Sequence, residues 1–328
     1  MSESKDEALL RVSHLKKHYA LGGGRTLHAV DDVSFSVCRG TTLGIVGESG
    51  CGKTTCGKVC IGMLPKTAGS VRFDGLDVHD LARRERLAFA RRVQMVFQDP
   101  YASLDPHQRV YDIVAEGIRI HRLASGKAEE REMVHSLLEQ VGLPPAYASR
   151  HVHEFSGGQR QRVGIARALS VAPELLLLDE PVSALDVSLQ AQVVNLLLRL
   201  QRERGLTMLF IAHDLAVVRQ VSDEVVVMYL GQVVEQAPAW ELFGAPAHPY
   251  TQALLSAVPV PDPRAARMRE RIVLSGDAPS PVDPAPGCRF SGRCPHATDA
   301  CRRVDPPVVE VTAGHTVRCH RCAGSLVA

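Results

Sequence analysis

Apolar positions along the chain change period several times, and each change predicts an element. TLGIVG (42–47) is an apolar, β-branched run that stops at glycine, while KTTCGKVCIGML (53–64) offers Val59, Ile61, Met63 and Leu64 at helical spacing. A strand, a tight turn and a helix are therefore predicted in succession. In SFSV (34–37) Phe35 and Val37 share one face and Ser34 and Ser36 the other. Strand signals of this kind alternate with turns from about 8 to 97 and suit a small antiparallel layer carrying Tyr19. The run LLLL (175–178) reads as a strand buried on both faces, as in a parallel sheet. Further strands are predicted at 207–212, 225–230 and 232–235.

The period becomes helical from about 99 to 165. In KAEEREMVHSLLEQVGL, Met133, Val134, Leu137, Leu138 and Val141 recur on one face before Gly142 and Pro144 end the helix. In QRQRVGIARALSV, Val163, Ile165, Ala166 and Leu169 suit a second helix face. Pro259, Pro261, Pro263, Pro279, Pro281, Pro284 and Pro286 then mark an extended linker into a tail. No internal repeat is visible.

A length of 328 residues permits one large or two modest domains. The net charge of +2, without a long basic block or aromatic-rich patch, argues against a dedicated nucleic-acid binder. The opening MSESKDEALLRV is acidic and polar, unlike a secretion signal, and no uncharged apolar stretch is long enough to span a bilayer. A cytoplasmic protein is expected, with any membrane association made through another chain.

The first chemistry lies in GESGCGKTT (47–55), between the predicted strand and helix. Gly47, Gly50 and Gly52 let the backbone turn tightly around an anion, so that successive N–H groups and a helix N-terminus point at a β-phosphate. Lys53 adds a charge near the β- and γ-phosphates, and the Thr54 hydroxyl is the expected Mg²⁺ ligand. Ser49, Cys51 and Thr55 complete the expected nucleotide-binding loop, and oxidation of Cys51 there would block the nucleotide. LLLLDE delivers Asp179 and Glu180 at the carboxyl end of a buried strand, where ligands bind in such sheets. Asp179 is expected to hold magnesium through water and Glu180 to polarise the attacking water, because phosphoryl transfer needs mostly positioning and charge neutralisation.

FSGGQ (155–159) resembles the signature of the ATP-binding cassette (ABC) superfamily, with Phe155 in place of the usual leucine. The resemblance implies an α/β phosphate-loop NTPase of ABC type: a RecA-like core, an antiparallel β layer and a helical subdomain at about 99–165. It implies that Ser156, Gly157, Gly158 and Gln159 meet the nucleotide held by a partner chain, so that ATP joins two subunits. SALD (183–186) resembles the family's D-loop, with Asp186 across the dimer seam. His213 in TMLFIAHDLA resembles the switch histidine, and Gln98 in VQMVFQDP the glutamine that watches the γ-phosphate, joins the Mg²⁺ set and links it to the membrane partner. Tyr19 resembles the aromatic that stacks on adenine. A soluble, non-transport member of the superfamily is a second possibility. Lys53 and Ser156 lie only 103 positions apart, which leaves no room for the long coiled coil of chromosome-maintenance members.

HPYTQALLSAVP (248–259), the proline-rich linker and the spaced cysteines are similar to the C-terminal region of ATPases that power oligopeptide, dipeptide and nickel importers. The simplest reading of HPY itself is a helix start. The resemblance implies a nucleotide-binding domain over 1–257 and a linker and tail over 258–328. It further implies a paralogous second ATPase, two transmembrane permease subunits, an extracytoplasmic substrate-binding protein and a position on the cytoplasmic face of the membrane. Di- or oligopeptides are the expected cargo, with nickel or another small solute as the alternative. Cys288, Cys294, Cys301 and Cys319 have five, six and seventeen residues between them, and Cys322 adds a fifth thiol. Such clustering in a reducing compartment favours metal over disulfide. Members of the family carry a 4Fe–4S cluster there, and the same four cysteines are its expected ligands. Zinc is an alternative because His296, His315 and His320 are near, and free thiols are another. Cys38, Cys51, Cys56 and Cys60 read as packing residues.

Overall fold

The computed structural model describes residues 8–258, 272–274, 276 and 279–325. Pro259, Pro261 and Pro263 of the expected linker lie outside the described residues. Among the described residues the strands are β1 (Ala8–Ala20), β2 (Thr26–Cys38), β3 (Thr42–Val46), β4 (Ala68–Phe73), β5 (Leu76–Asp77), β6 (Val93–Val96), β7 (Leu175–Asp179), β8 (Thr207–Ile211), β9 (Glu224–Tyr229), β10 (Gln232–Pro238), β11 (Val308–Thr312) and β12 (His315–Arg318). The chain divides into two compact units, one built on 80–211 with 38–41, the other on 8–37, 42–79 and the residues from 212 onward.

In the first unit β6, β7 and β8 are parallel, with Val93 opposite Leu175 and Leu176 opposite Met208. Leu175 to Leu178 are fully buried, as the unbroken apolar run requires, and each contributes about 2 kcal/mol of burial. The helix Val110–Ile120 presents Val110, Ile113, Val114 and Ile118 to the interior and packs on the helix Gly157–Leu169. Lys127–Gln140 buries Val134, Leu137 and Leu138, and Val141 is buried at its C-cap. Gly142 follows with φ 75°, the left-handed residue that closes the helix.

In the second unit one sheet has the order β2-β1-β4-β5 and another runs β11-β12-β10-β9-β3. β3 and β9 are parallel, whereas β9–β10, β10–β12 and β12–β11 are antiparallel. Residues beyond the linker therefore fold into the same unit as the antiparallel layer. Phe290 of the tail packs edge-on against Tyr229 at 5.3 Å between ring centroids and lies 5.4 Å from Tyr250. As expected, Phe35 and Val37 are buried on one face of β2.

The helix expected over 53–64 is shorter. It spans Lys53–Cys60, and Met63 is 52% exposed rather than buried. Gly62 takes φ 73°, its N–H donates to Val59 O, and Met63 N–H reaches back to Lys58 O, so the last turn unwinds before Pro65. The strands expected at 225–230 and 232–235 are Glu224–Tyr229 and Gln232–Pro238, the second extended by its antiparallel pairing with β9 as far as Pro238.

Candidate functional site

The phosphate loop sits in the second unit, between β3, which is buried throughout, and the helix Lys53–Cys60. Its glycines are required by contact as well as by backbone angle. Gly47 has φ 151° and a Cβ there would lie 2.2 Å from Met228 O; Gly52 has φ 103° and its Cβ would lie 2.1 Å from Ala29 O. No side chain caps the helix start, so its first-turn N–H groups face outward from a positive helix end. Lys53 is 5% exposed and folds back, with Nζ donating to Gly47 O at 2.8 Å and Glu48 O at 3.0 Å. Its ammonium thus stands at the mouth of the loop. Ser49 and Gly50 are exposed, Thr54 and Thr55 half-buried, and Cys51 buried with Sγ 3.9 Å from Lys53 Nζ. A glycine cradle, an uncapped helix end and a lysine held by loop carbonyls fit a nucleotide polyphosphate with its Mg²⁺.

Tyr19 lies one residue before the end of β1 and is half-buried, with Lys17 Nζ 4.6 Å above its ring. His213 is exposed just after β8, and Asp214 caps the following helix Leu215–Val221 by accepting from Ala216 N at 2.8 Å.

The first unit holds the carboxylates and the signature. Asp179 closes β7 and is 3% exposed. Glu180 adopts φ 46° and donates its N–H to Ile211 O at 2.9 Å, while its Oε2 accepts from Gln98 Nε2 at 2.9 Å. Two sequence-predicted catalytic residues, 82 positions apart, thus meet directly. Ser156 caps the helix Gly157–Leu169 by accepting from Gln159 N at 3.4 Å, and Gln159 Oε1 accepts from Ser156 N at 3.1 Å, a reciprocal capping box. Gly158 packs closely, since a Cβ there would lie 3.2 Å from Leu189. Gly157 is half-buried, with Leu185 3.5 Å from the place of its Cβ. Phe155 is 4% exposed and packs edge-on to Tyr147 at 5.4 Å, an anchoring role that leucine or phenylalanine can fill. Asp186 caps the helix Val187–Arg204, accepting from Leu189 N at 3.0 Å and Ser188 Oγ at 2.8 Å. These bonds, the Leu189 N–H foremost, hold its carboxyl below the usual range.

The tail cysteines converge within the second unit. Cys288, Cys294, Cys301 and Cys319 line one cavity of about 230 Å³ together with His248, Phe290, His296 and His320. Burial first, then the neighbouring thiols Cys301, Cys319 and Cys294, push Cys288 up to about 11. Cys319 shifts the other way, lowered mainly by a hydrogen bond from Cys322. Cys319 and Cys322 are spaced by two residues, unlike the wider spacing of Cys288, Cys294 and Cys301. Cys322 does not line the cavity; its Sγ lies 3.9 Å from Ala247 O. Among the described residues no three of these sulfurs lie within 4.8 Å of one another. His315 is removed from any zinc set: Nε2 meets Glu235 at 2.8 Å and Nδ1 meets Glu241 at 3.1 Å. His18, His28 and Asp31 also offer atoms within 4.8 Å of one another, but Arg289 pairs with the same Asp31 carboxylate and Lys16 approaches it at 3.8 Å. Cys56 and Cys60 are fully buried packing residues as expected, whereas Cys38 is half-buried.

The sequence did not reveal how the loop is fixed from outside. Glu48 N–H donates to Tyr250 Oη at 2.9 Å, and the Glu48 carboxylate accepts two bonds from Arg293 at 3.0 and 2.8 Å. HPY is a helix start as read, with His248 Nδ1 accepting from Tyr250 N at 3.1 Å, yet its tyrosine also secures the phosphate loop.

Residues 30–183 match the ABC transporter family model, and 234–301 match the oligopeptide/dipeptide transporter C-terminal region. The oligopeptide transport ATP-binding protein AppF of Bacillus subtilis is 49% identical over 327 residues, 98% of this chain and 99% of its own length. OppF of the same organism, also named an oligopeptide transport ATP-binding protein, is 57% identical over 266 residues, 81% of this chain and 87% of its own. Among solved structures, the ATP-binding cassette MJ0796, a dimer in a post-hydrolysis state with ADP and phosphate, superposes with a TM-score of 0.64 at 28% identity, covering 70% of this chain and 98% of that one. With the phosphate loop, the signature helix and the cysteine-bearing tail all in place, the chain belongs to the ABC ATPases of the oligopeptide and dipeptide transporter family.

Proposed function

We propose that the protein is the ATP-hydrolysing subunit that powers import of di- or oligopeptides through partner permease subunits. The observation that carries this reading is the joining, in one chain, of an ABC transporter match over residues 30–183 to an oligopeptide/dipeptide transporter C-terminal region over 234–301. Gly47 to Thr55 would hold the phosphates of ATP, Tyr19 would stack on adenine, and Thr54, Gln98 and Asp179 would hold Mg²⁺, which would supply neutralisation of phosphate charge. Glu180 accepts a proton from the attacking water, and Gln98, already bonded to its carboxylate, orients it. His213 senses the γ-phosphate. Ser156 to Gln159 and Asp186 act on nucleotide held by a second, paralogous ATPase, so two sites form only in the pair.

Among the described residues no helix is long and apolar enough to cross a membrane. We assign the permease contact to the first unit, at and around the segment 99–110. Tyr101 there is 61% exposed, and elsewhere on the same unit Leu87 and Ile120, 51% and 56% exposed, line a groove of about 740 Å³ with Arg84, Arg91 and Arg122. A helix end with an apolar tip and acidic flanks suits that lining. Purification from native membranes tests the assignment. Two permease chains and a paralogous ATPase are expected to co-purify with an extracytoplasmic binding protein; recovery with ribosomes or chromosomal DNA instead would overturn it.

The four-thiol cavity is read as the seat of a 4Fe–4S cluster, which would supply a rigid cross-link between the segments that carry Cys288, Cys294, Cys301 and Cys319. Anaerobic purification is expected to give brown protein with iron and sulfide in equal amounts. A colourless sample free of iron removes the cluster.

A further inference from the structure

Each of the four cavity cysteines has an arginine as immediate chain neighbour, and three of those arginines pair with an acid of β2 or of the phosphate loop. Arg289 follows Cys288 and donates to the Asp31 carboxylate in β2 and to the Leu230 carbonyl. Arg293 precedes Cys294 and makes the two bonds to Glu48 inside the phosphate loop. Arg318 precedes Cys319 and donates to Asp32, also in β2, at 2.8 Å. Their side chains are 6%, 11% and 12% exposed. Arg302, beside the fourth cysteine, differs: it is 67% exposed and meets Asp299 of its own short helix at 3.8 Å.

Of the three pairs, Arg293–Glu48 bears most directly on the site. The carbonyl of Glu48 is one of the two that hold Lys53 Nζ, and it also accepts from Cys51 N at 3.3 Å. Any displacement of Glu48 therefore moves the lysine and the loop together. A single nitrogen, Nη1, donates to both carboxylate oxygens, so the charge of Arg293 is centred on the Glu48 carboxylate. We propose that Arg293 is a positioning residue for ATP: it sets the phosphate loop through Glu48, and because Cys294 is its chain neighbour, occupancy of the four-thiol cavity and nucleotide affinity are coupled. Coupling of this kind is reciprocal, so bound nucleotide also steadies the cysteines. The inference rests on the reading of 47–55 as the ATP site and holds whatever group fills the cavity.

The test measures affinity of the full-length protein, purified anaerobically, for a fluorescent ATP analogue with Mg²⁺. Arg293→Met and Glu48→Gln are each expected to weaken binding about 5- to 10-fold, and the double variant no further, because one contact is removed either way. Arg293→Lys is expected to recover most of the loss, and Arg302→Ala to bind as wild type. A second measurement follows the rate at which Cys294 becomes reactive to iodoacetamide. Nucleotide is expected to slow it about 5-fold in the wild type and not in Arg293→Met. Additive losses, or alkylation indifferent to nucleotide, overturn the coupling. Should Arg293→Met fail to fold, Glu48→Gln and Arg293→Lys decide the same question. Failure of the wild type to bind the analogue at all would count against the ATP site itself, which separates the two readings.

Discussion

Glu180 shows at the scale of one residue how position precedes chemistry. Its φ of 46° is a conformation that side chains other than glycine enter at a cost, and here the N–H bond to Ile211 O and the Gln98 bond to the carboxylate hold it there. A carboxylate fixed at both ends has few other orientations, which suits a group that must face one water. Glu180→Gln keeps the shape and removes the base. It is expected to lower kcat by about 10²- to 10⁴-fold while leaving ATP binding intact, so that the assembled transporter accumulates in its nucleotide-joined form. ATPase turnover within tenfold of wild type would assign the base elsewhere. Lys53 illustrates the complementary case, since its ammonium is held by the carbonyls of the loop it serves.

The signature helix carries two roles that one substitution can separate. Ser156 caps the helix through Gln159 N, and the same hydroxyl is the group expected to meet a partner's nucleotide. Ser156→Asp retains an N-cap of similar strength but adds negative charge where a γ-phosphate must approach. Thermal stability is expected to stay within about 0.5 kcal/mol of wild type, and ATP-dependent pairing, read by size-exclusion chromatography in the Glu180→Gln background, to be lost. Pairing that survives would confine Ser156 to its capping role. Elements of this kind were legible because local rules govern them: the run of four leucines, the glycine-bounded phosphate loop and the period of 127–141 each state their own structure. The turn at Gly62 was missed because the apolar period of 53–64 continues past the residue whose backbone ends the helix. The arginine contacts were illegible for another reason. Arg289, Arg293 and Arg318 stand 258, 245 and 286 positions from the acids they pair with, and no local pattern relates charges at such separations.

Across the second unit, the buried polar groups near the tail set how the molecule answers acid, and two histidines act with opposite sign. His248 is 1% exposed, and burial lowers it from 6.5 to about 4, only partly offset by Glu235. Its neutral form suits the fold, because Nδ1 must accept from Tyr250 N. The unfolded chain therefore binds more protons between those two values, and stability rises with pH across that window. The contribution is fully present above pH 6.5 and is lost as pH falls towards 4, to a limit of about 3 kcal/mol. His315 is raised instead, chiefly by its bond to Glu235 and then by Glu241. Its contribution is present below 6.5 and fades as pH rises through its folded value. His248→Asn keeps a capping side chain and removes the titration, so urea midpoints measured from pH 7.5 to pH 4.5 isolate the first effect. The wild type is expected to lose more stability than His248→Asn over the acid half of that range and to match its slope above pH 7, whereas His315→Gln is expected to leave the slope below pH 6.5 unchanged and to remove the stability the wild type gains as pH falls towards 6.5. Because His248 caps the helix whose Tyr250 holds Glu48, the same acid titration is expected to weaken nucleotide binding in step with stability, and equal acid slopes in wild type and His248→Asn would detach that histidine from both.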